Sequence, residues 1–119
     1  LKIILKCLEI KIYRKLSKIR KELQQNGKTL TAKLSGEIDH HWAGILREKI
    51  DEHIQATRPA VTLLDFSAVT FMDSSGVGLI LGRYKLAREL GGTVVVQNVP
   101  KDIRRMLALA GIDSKEEEA

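Results

Sequence analysis

The residues best suited to chemistry in this chain stand together at Asp73-Ser74-Ser75-Gly76, directly ahead of an apolar helical pattern. The two hydroxyls therefore fall where a helix begins, where backbone N–H groups lack partners and the helix dipole is positive. Anions are stabilised there. A phosphate on either serine would bring about −1.5 to −2 charges to that terminus, with Asp73 opposing it. Local chemistry also allows a plainer role, because serine is among the commonest helix caps, and it does not choose between the hydroxyls. On a helical projection, Val77, Ile80, Leu81, Tyr84 and Ala87 form the expected core stripe. Ser75, Leu79, Gly82, Arg83, Leu86 and Leu90 gather on the other side. That apolar strip either faces solvent as a protein-docking surface, with Gly82 admitting a partner backbone, or is covered by a neighbouring helix.

Other chemistries find less support. Nucleophilic catalysis needs a base held against the nucleophile. His40, His41 and His53 could supply one, but the serines do not sit in a Gly-x-Ser-x-Gly elbow, so the chain reads as non-enzymatic with no catalytic residue. Consecutive His40 and His41 diverge and lack a third ligand, so no metal site is expected. Gly76-Val77-Gly78 lacks the lysine of a phosphate-binding loop, and no nucleotide or other cofactor is expected on this chain. A single cysteine, Cys7, excludes an intrachain disulfide and fits a reducing cytoplasm.

The elements that must position the serines belong to one domain, since 119 residues suffice for a single packed core. The net charge of +5 invites a nucleic-acid reading, but its distribution argues otherwise. Residues 1–21 carry eight basic side chains against Glu9, whereas residues 22–119 hold twelve basic and fourteen acidic ones. The basicity belongs to the extension, not to a nucleic-acid-binding face. Leu5, Leu8, Ile12, Leu16, Ile19 and Leu23 recur at helical spacing among its lysines and arginines, the pattern of a basic amphipathic helix. It would dock on an anionic membrane or a partner helix, or serve as an accessory tail, which its composition favours. No run approaches the roughly 20 apolar residues of a membrane span, and no small-residue cleavage site follows. The expected division is thus an extension (1–21), a domain (22–113) and an acidic tail (114–119).

Within the domain, Asn26-Gly27 is a hairpin signal between a short strand near 22–25 and a half-buried strand over 28–35 that Gly36 ends. Asp39 caps a helix from about His41 to Ala56, with Trp42, Ile45, Leu46, Ile50 and His53 on one side. Val61–Leu64 reads as a strand covered on both faces, joined by a connector to the helix that begins at the serines and ends at Gly91-Gly92. Thr93–Val96 is another strand, and Pro100 opens a last helix closed by Gly111. The expected fold is α/β, a mixed sheet in which an N-terminal antiparallel hairpin precedes parallel strands, with helices packed on it.

Two segments carry a family likeness. Val61-Thr62-Leu63-Leu64-Asp65-Phe66 with Val69-Thr70-Phe71-Met72-Asp73-Ser74-Ser75-Gly76-Val77-Gly78-Leu79-Ile80-Leu81-Gly82-Arg83-Tyr84-Lys85 resembles the STAS family of anti-sigma factor antagonists, nearest its sporulation branch. Gly36-Glu37-Ile38-Asp39-His40-His41, with Ala43 and Leu46, matches the family's earlier motif in register. The resemblance covers roughly residues 22–113. It implies partner switching: the unmodified protein binds an anti-sigma factor that is also an ATP-dependent serine kinase, freeing a sigma factor, and the kinase then phosphorylates the first serine of the motif. That serine maps to Ser74, a phosphatase reverses the modification, and ATP belongs to the partner. Asp39 maps to the family's position beside that serine, and with the strip on the second helix the expected contact residues are Asp39, Asp73, Ser74, Ser75, Gly76, Gly78, Leu79, Gly82, Arg83 and Leu86. Family members usually continue with a further strand and helix, where this sequence runs into Asp113-Ser114-Lys115-Glu116, so a missing edge strand is expected. The competing reading keeps the fold and makes it a STAS module of a stress-response or membrane-recruited sensor complex.

Overall fold

The structure, a computed structural model, describes residues 23–113. The basic extension and the acidic tail lie outside the described residues. Strands β1 (Leu23–Asn26) and β2 (Thr29–Ile38) form the antiparallel hairpin, and Gly27 at its turn takes φ +61°. The chain continues through α1 (His40–Thr57), β3 (Val61–Met72), α2 (Ser74–Glu89), β4 (Thr93–Gln97) and α3 (Lys101–Leu109). The sheet runs β1-β2-β3-β4, with β2, β3 and β4 mutually parallel, so the mixed α/β architecture expected from the sequence is what forms. The two crossovers advance in the same direction along the sheet, and α1 and α2 pack against each other, as crossovers of the usual right hand require of helices on one face.

Both central strands are longer than the sequence pattern suggests. Gly36 does not end β2: it lies within the strand at φ +76°, where register shifts between Lys33 and Ser35 and between Gly36 and Glu37 absorb the irregularity. The expected connector after Leu64 is likewise strand as far as Met72. Asp65 Oδ1 accepts from Ser67 N at 2.9 Å at the irregularity, and β-favouring Val69 and Phe71 then pair with Gly36 and Glu37 at the far end of β2, Thr70 taking up the second register shift. Nor is β3 sealed on both faces. Thr62, Leu64 and Phe66 are buried while Val61, Leu63 and Asp65 are half-buried, because the helices cover one side.

The core gathers Leu30, Ala32 and Leu34 of β2, Leu64 and Phe66 of β3, Val96 of β4, and the inner faces of the helices. On α1 that face is Trp42, Ala43, Leu46, Ile50 and Ile54, so Ile45 and His53 are displaced from the expected stripe to half-buried positions. Gly76 is buried because Met72 packs where its side chain would be, and a Cβ there would overlap Met72 Sδ and Cγ. Replacing Gly76 by alanine should therefore cost about 1–3 kcal/mol through overpacking, measurable as a lower urea midpoint with an unchanged slope. Wild-type stability in that variant would mean that Met72 moves aside without strain.

Candidate functional site

Parallel pairing of β2 with β3 ends at Ile38 opposite Met72, and Asp73 N donates to Ile38 O at 3.2 Å. Each strand then leads through an aspartate into a helix. Asp39 and Asp73 adopt almost the same extended geometry, φ −93° for both with ψ −178° and −174°. Asp39 Oδ1 accepts from Trp42 N at 2.7 Å, and Asp73 Oδ1 from Ser75 N at 2.8 Å. Two capped helix starts thus stand side by side, each with backbone N–H groups and a positive dipole end directed the same way.

Ser74 is the first residue of α2 and is exposed. Ser75 is half-buried, and its Oγ lies 3.4 Å from His40 Nδ1 at the start of α1. The two hydroxyls, equivalent in the sequence, therefore differ in surroundings. Below them an open cleft of about 350 Å³ separates the helices, lined by His40, Ala43, Gly44 and Arg47 from α1 and by Ser75, Gly78 and Leu79 from α2.

Further down the seam, Arg83 Nε approaches Asp51 Oδ1 at 2.7 Å, with the arginine side chain 6% exposed and the aspartate 27%. The approach is not that of an aligned hydrogen bond, and Arg83 Nη1 has no hydrogen-bond partner among the described residues. Burial raises the Asp51 pKa against the opposing pull of Arg83 and Arg47. Burial also lowers that of Arg83, with Asp51 opposing and Arg47 adding to the effect. Desolvation thus outweighs mutual attraction for both partners, so helix packing holds the pair at least as much as the pair holds the helices.

Of the two placements left open for the second strip on α2, cover by a neighbouring helix is the one that forms at Leu79 and Arg83, and with Gly76 they are corrected as exposed contact residues. Leu79 and Arg83 are 4% and 5% exposed, because α1 packs over them, and Gly76 is buried against Met72. Leu81, assigned to the core by the helical projection, is instead 46% exposed. A helix that meets both a sheet and a second helix turns its buried arc toward the pair, which a single-stripe projection does not anticipate. Of the remaining candidates Asp39, Ser74 and Gly78 are exposed, and Asp73, Ser75, Gly82 and Leu86 are half-buried. The structure adds His40, Arg47 and Phe71, the last 53% exposed at the end of β3 opposite Glu37. The sequence carries no signal for Arg47, whereas the pairing of β2 with β3 would have pointed to His40. Among the described residues no cluster of His, Cys, Asp or Glu could hold a metal ion, and no helix is long and apolar enough to cross a membrane.

Comparison with known proteins follows this geometry. The STAS domain family profile matches residues 20–117. An anti-sigma F factor antagonist of Paenibacillus polymyxa is 40% identical over 91 residues, 76% of this chain and 78% of that protein. The solved structure of the anti-sigma factor antagonist SpoIIAA in its unphosphorylated form superimposes with a TM-score of 0.73 at 31% identity, covering 82% of this chain and 85% of that one. The phosphorylated form of the Bacillus cell fate determinant SpoIIAA gives a TM-score of 0.68 at 31% identity, covering 82% and 88%.

Two stability predictions follow from the seam. Asp51→Ala should destabilise the fold by about 2–3 kcal/mol by stranding a buried guanidinium, whereas Asp51→Leu combined with Arg83→Met should come close to wild type; equal losses in the two proteins, measured by denaturant unfolding, would contradict this account. Gly44 and Gly78 lie inside helices with open space where a Cβ would project. Alanine at either should stabilise the fold by about 0.5–1 kcal/mol, read as a higher melting temperature.

Proposed function

The chain belongs to the STAS domain family, and from that premise we propose that it acts as an anti-sigma factor antagonist switched by phosphorylation of Ser74. In this reading the unphosphorylated chain binds an anti-sigma factor that is also a serine kinase, and so releases a sigma factor. Phosphorylation ends the binding, and a phosphatase restores it. The chain itself catalyses nothing and holds no cofactor, and ATP is bound by the partner. Residues 22–113 are the acting domain.

The observation that carries this reading is the exposed Ser74 hydroxyl at the first position of α2, beside two aspartate-capped helix starts. Three physical consequences support it. A kinase can reach the hydroxyl without unfolding the chain. In the free protein, the positive end of α2 offsets part of the phosphate charge. In a complex, the same phosphate would join Asp39 and Asp73 at a surface losing its water, and like charges brought together there weaken association. The exposed part of the site, Asp39, Ser74, Gly78 and Leu81 with half-buried Asp73, Ser75, Gly82 and Leu86, is the surface we assign to the partner. Ser75 is the poorer acceptor because the residue is half-buried and its Oγ lies 3.4 Å from His40 Nδ1.

The test is incubation of the chain with its cognate anti-sigma kinase and ATP, followed by mass-spectrometric mapping. One phosphate at Ser74 is expected, absent from Ser74→Ala, which still binds the kinase. Ser74→Asp should bind about tenfold or more weakly; equal affinity of the aspartate and alanine variants would refute the charge mechanism.

A further inference from the structure

We infer that the cleft between α1 and α2 is a second docking point, which receives a carboxylate-bearing side chain of the protein partner against Arg47 and His40. The inference rests on the anti-sigma factor reading above and adds to it a place and a charge.

Three observations carry it. The first is steric. Gly44 and Gly78 face the cleft from opposite walls, and neither is explained from within: both are in helices, and neither has a side chain or backbone close enough to exclude a Cβ. A protein that keeps helix-interior glycines where alanine would fit forgoes stability, and such costs accumulate at surfaces that bind. Side chains on these two residues would narrow the cleft from both sides. Its volume of about 350 Å³ suits an inserted side chain with the backbone that carries it.

The second observation is electrostatic. His40 and Arg47 line the cleft and no carboxylate does. The acidic group further down the seam, Asp51, is committed to Arg83 at 2.7 Å. Two arginines therefore share the field of one aspartate, and Arg83, buried beneath α1, has the closer claim. Arg47 is exposed and forms no ion pair among the described residues. The surplus positive charge faces the cleft, and its complement is an acidic group whose planar oxygens a guanidinium can bind in pairs.

The third is position. Ser75 forms the cleft's upper rim, and exposed Ser74 precedes it by one residue. The cleft is thus continuous with the surface assigned to the partner, and an acidic side chain seated in it would approach a phosphate on Ser74. The same modification would then repel the docked carboxylate and draw on the positive field that holds it. A basic groove beside an acidic rim also fixes the partner's orientation, since a reversed approach would set like charges against each other.

The test is calorimetric titration of the cognate anti-sigma kinase into the full chain and its variants, with sedimentation of each chain alone. Arg47→Glu should weaken binding by about tenfold to a hundredfold, and Arg47→Lys by clearly less. Arg47→Ala should flatten the salt dependence, and Gly44→Leu, which fills the cleft from α1 with a good helix former, should weaken binding at all salt concentrations. Arg47 is exposed and Gly44 has free space, so these variants should fold, and melting temperatures at or above wild type would exclude unfolding as the cause. Binding by Arg47→Glu and Gly44→Leu within twofold of wild type would overturn the cleft assignment and leave the anti-sigma reading intact. No binding by the unaltered chain would overturn that reading and the inference with it. A wild-type dimer that Arg47→Glu dissociates while kinase affinity stays the same would give the cleft to a second copy of the chain, and also overturn the inference.

Discussion

Ile38 lies opposite Met72 where the parallel pairing of β2 and β3 ends, and from that pair the chain leaves each strand through an aspartate into a helix. Parallel strands finishing at the same level deliver both helix starts to the same edge of the sheet, with unpaired amide groups directed the same way. The hydrogen bond from Asp73 N to Ile38 O joins the second turn to the first strand. Slipping the register by one residue would interchange the faces of a strand and separate the caps. His40, Ser74, Ser75 and the mouth of the cleft are therefore consequences of this one pairing.

Below the caps, the seam between α1 and α2 decides which side chains are available to a partner. Packing there buries Leu79 and Arg83 and leaves Leu81 outside. The Asp51–Arg83 contact lies in this seam with both groups pushed toward their neutral forms by loss of water. Such a pair adds little net stability, yet removing one member is costly, so its chief effect is to penalise other arrangements of the two helices. It works with the close contact of Gly76 on Met72, which sets the depth at which α2 begins.

Charge at the site is divided between two neighbouring surfaces. Asp39 and Asp73 give the rim an acidic character that the helix dipoles partly offset, whereas His40 and Arg47 make the cleft basic. A phosphate at the first residue of α2 would act on both at once, deepening one field and cancelling the other. Close spacing is what would let a single modification act on both surfaces, because interactions between exposed charges are screened beyond about 8–10 Å at physiological salt, whereas those at a partly dry contact are screened less and are strongest at short range.

Much of this was open to reading from residues in order. Asn26-Gly27 announces a hairpin, Asp39 before apolar periodicity announces a capped helix, and Pro59, Gly91 and Pro100 punctuate the remainder, because these preferences act over a few neighbouring residues, although the cap of α2 proves to be Asp73 and not a serine. Ser74 at a helix start belongs with them. The continuation of β2 past Gly36 and of β3 past Asp65 does not, since each extension is held by the other strand rather than by its own propensity. The burial of Arg83, the exposure of Leu81, the nearness of His40 to Ser75 and the cleft beside Arg47 depend on α1 meeting α2 across a long sequence separation. One helical stripe can face one neighbour in a projection, but in the fold it faces two, and only their placement decides which residues water can reach.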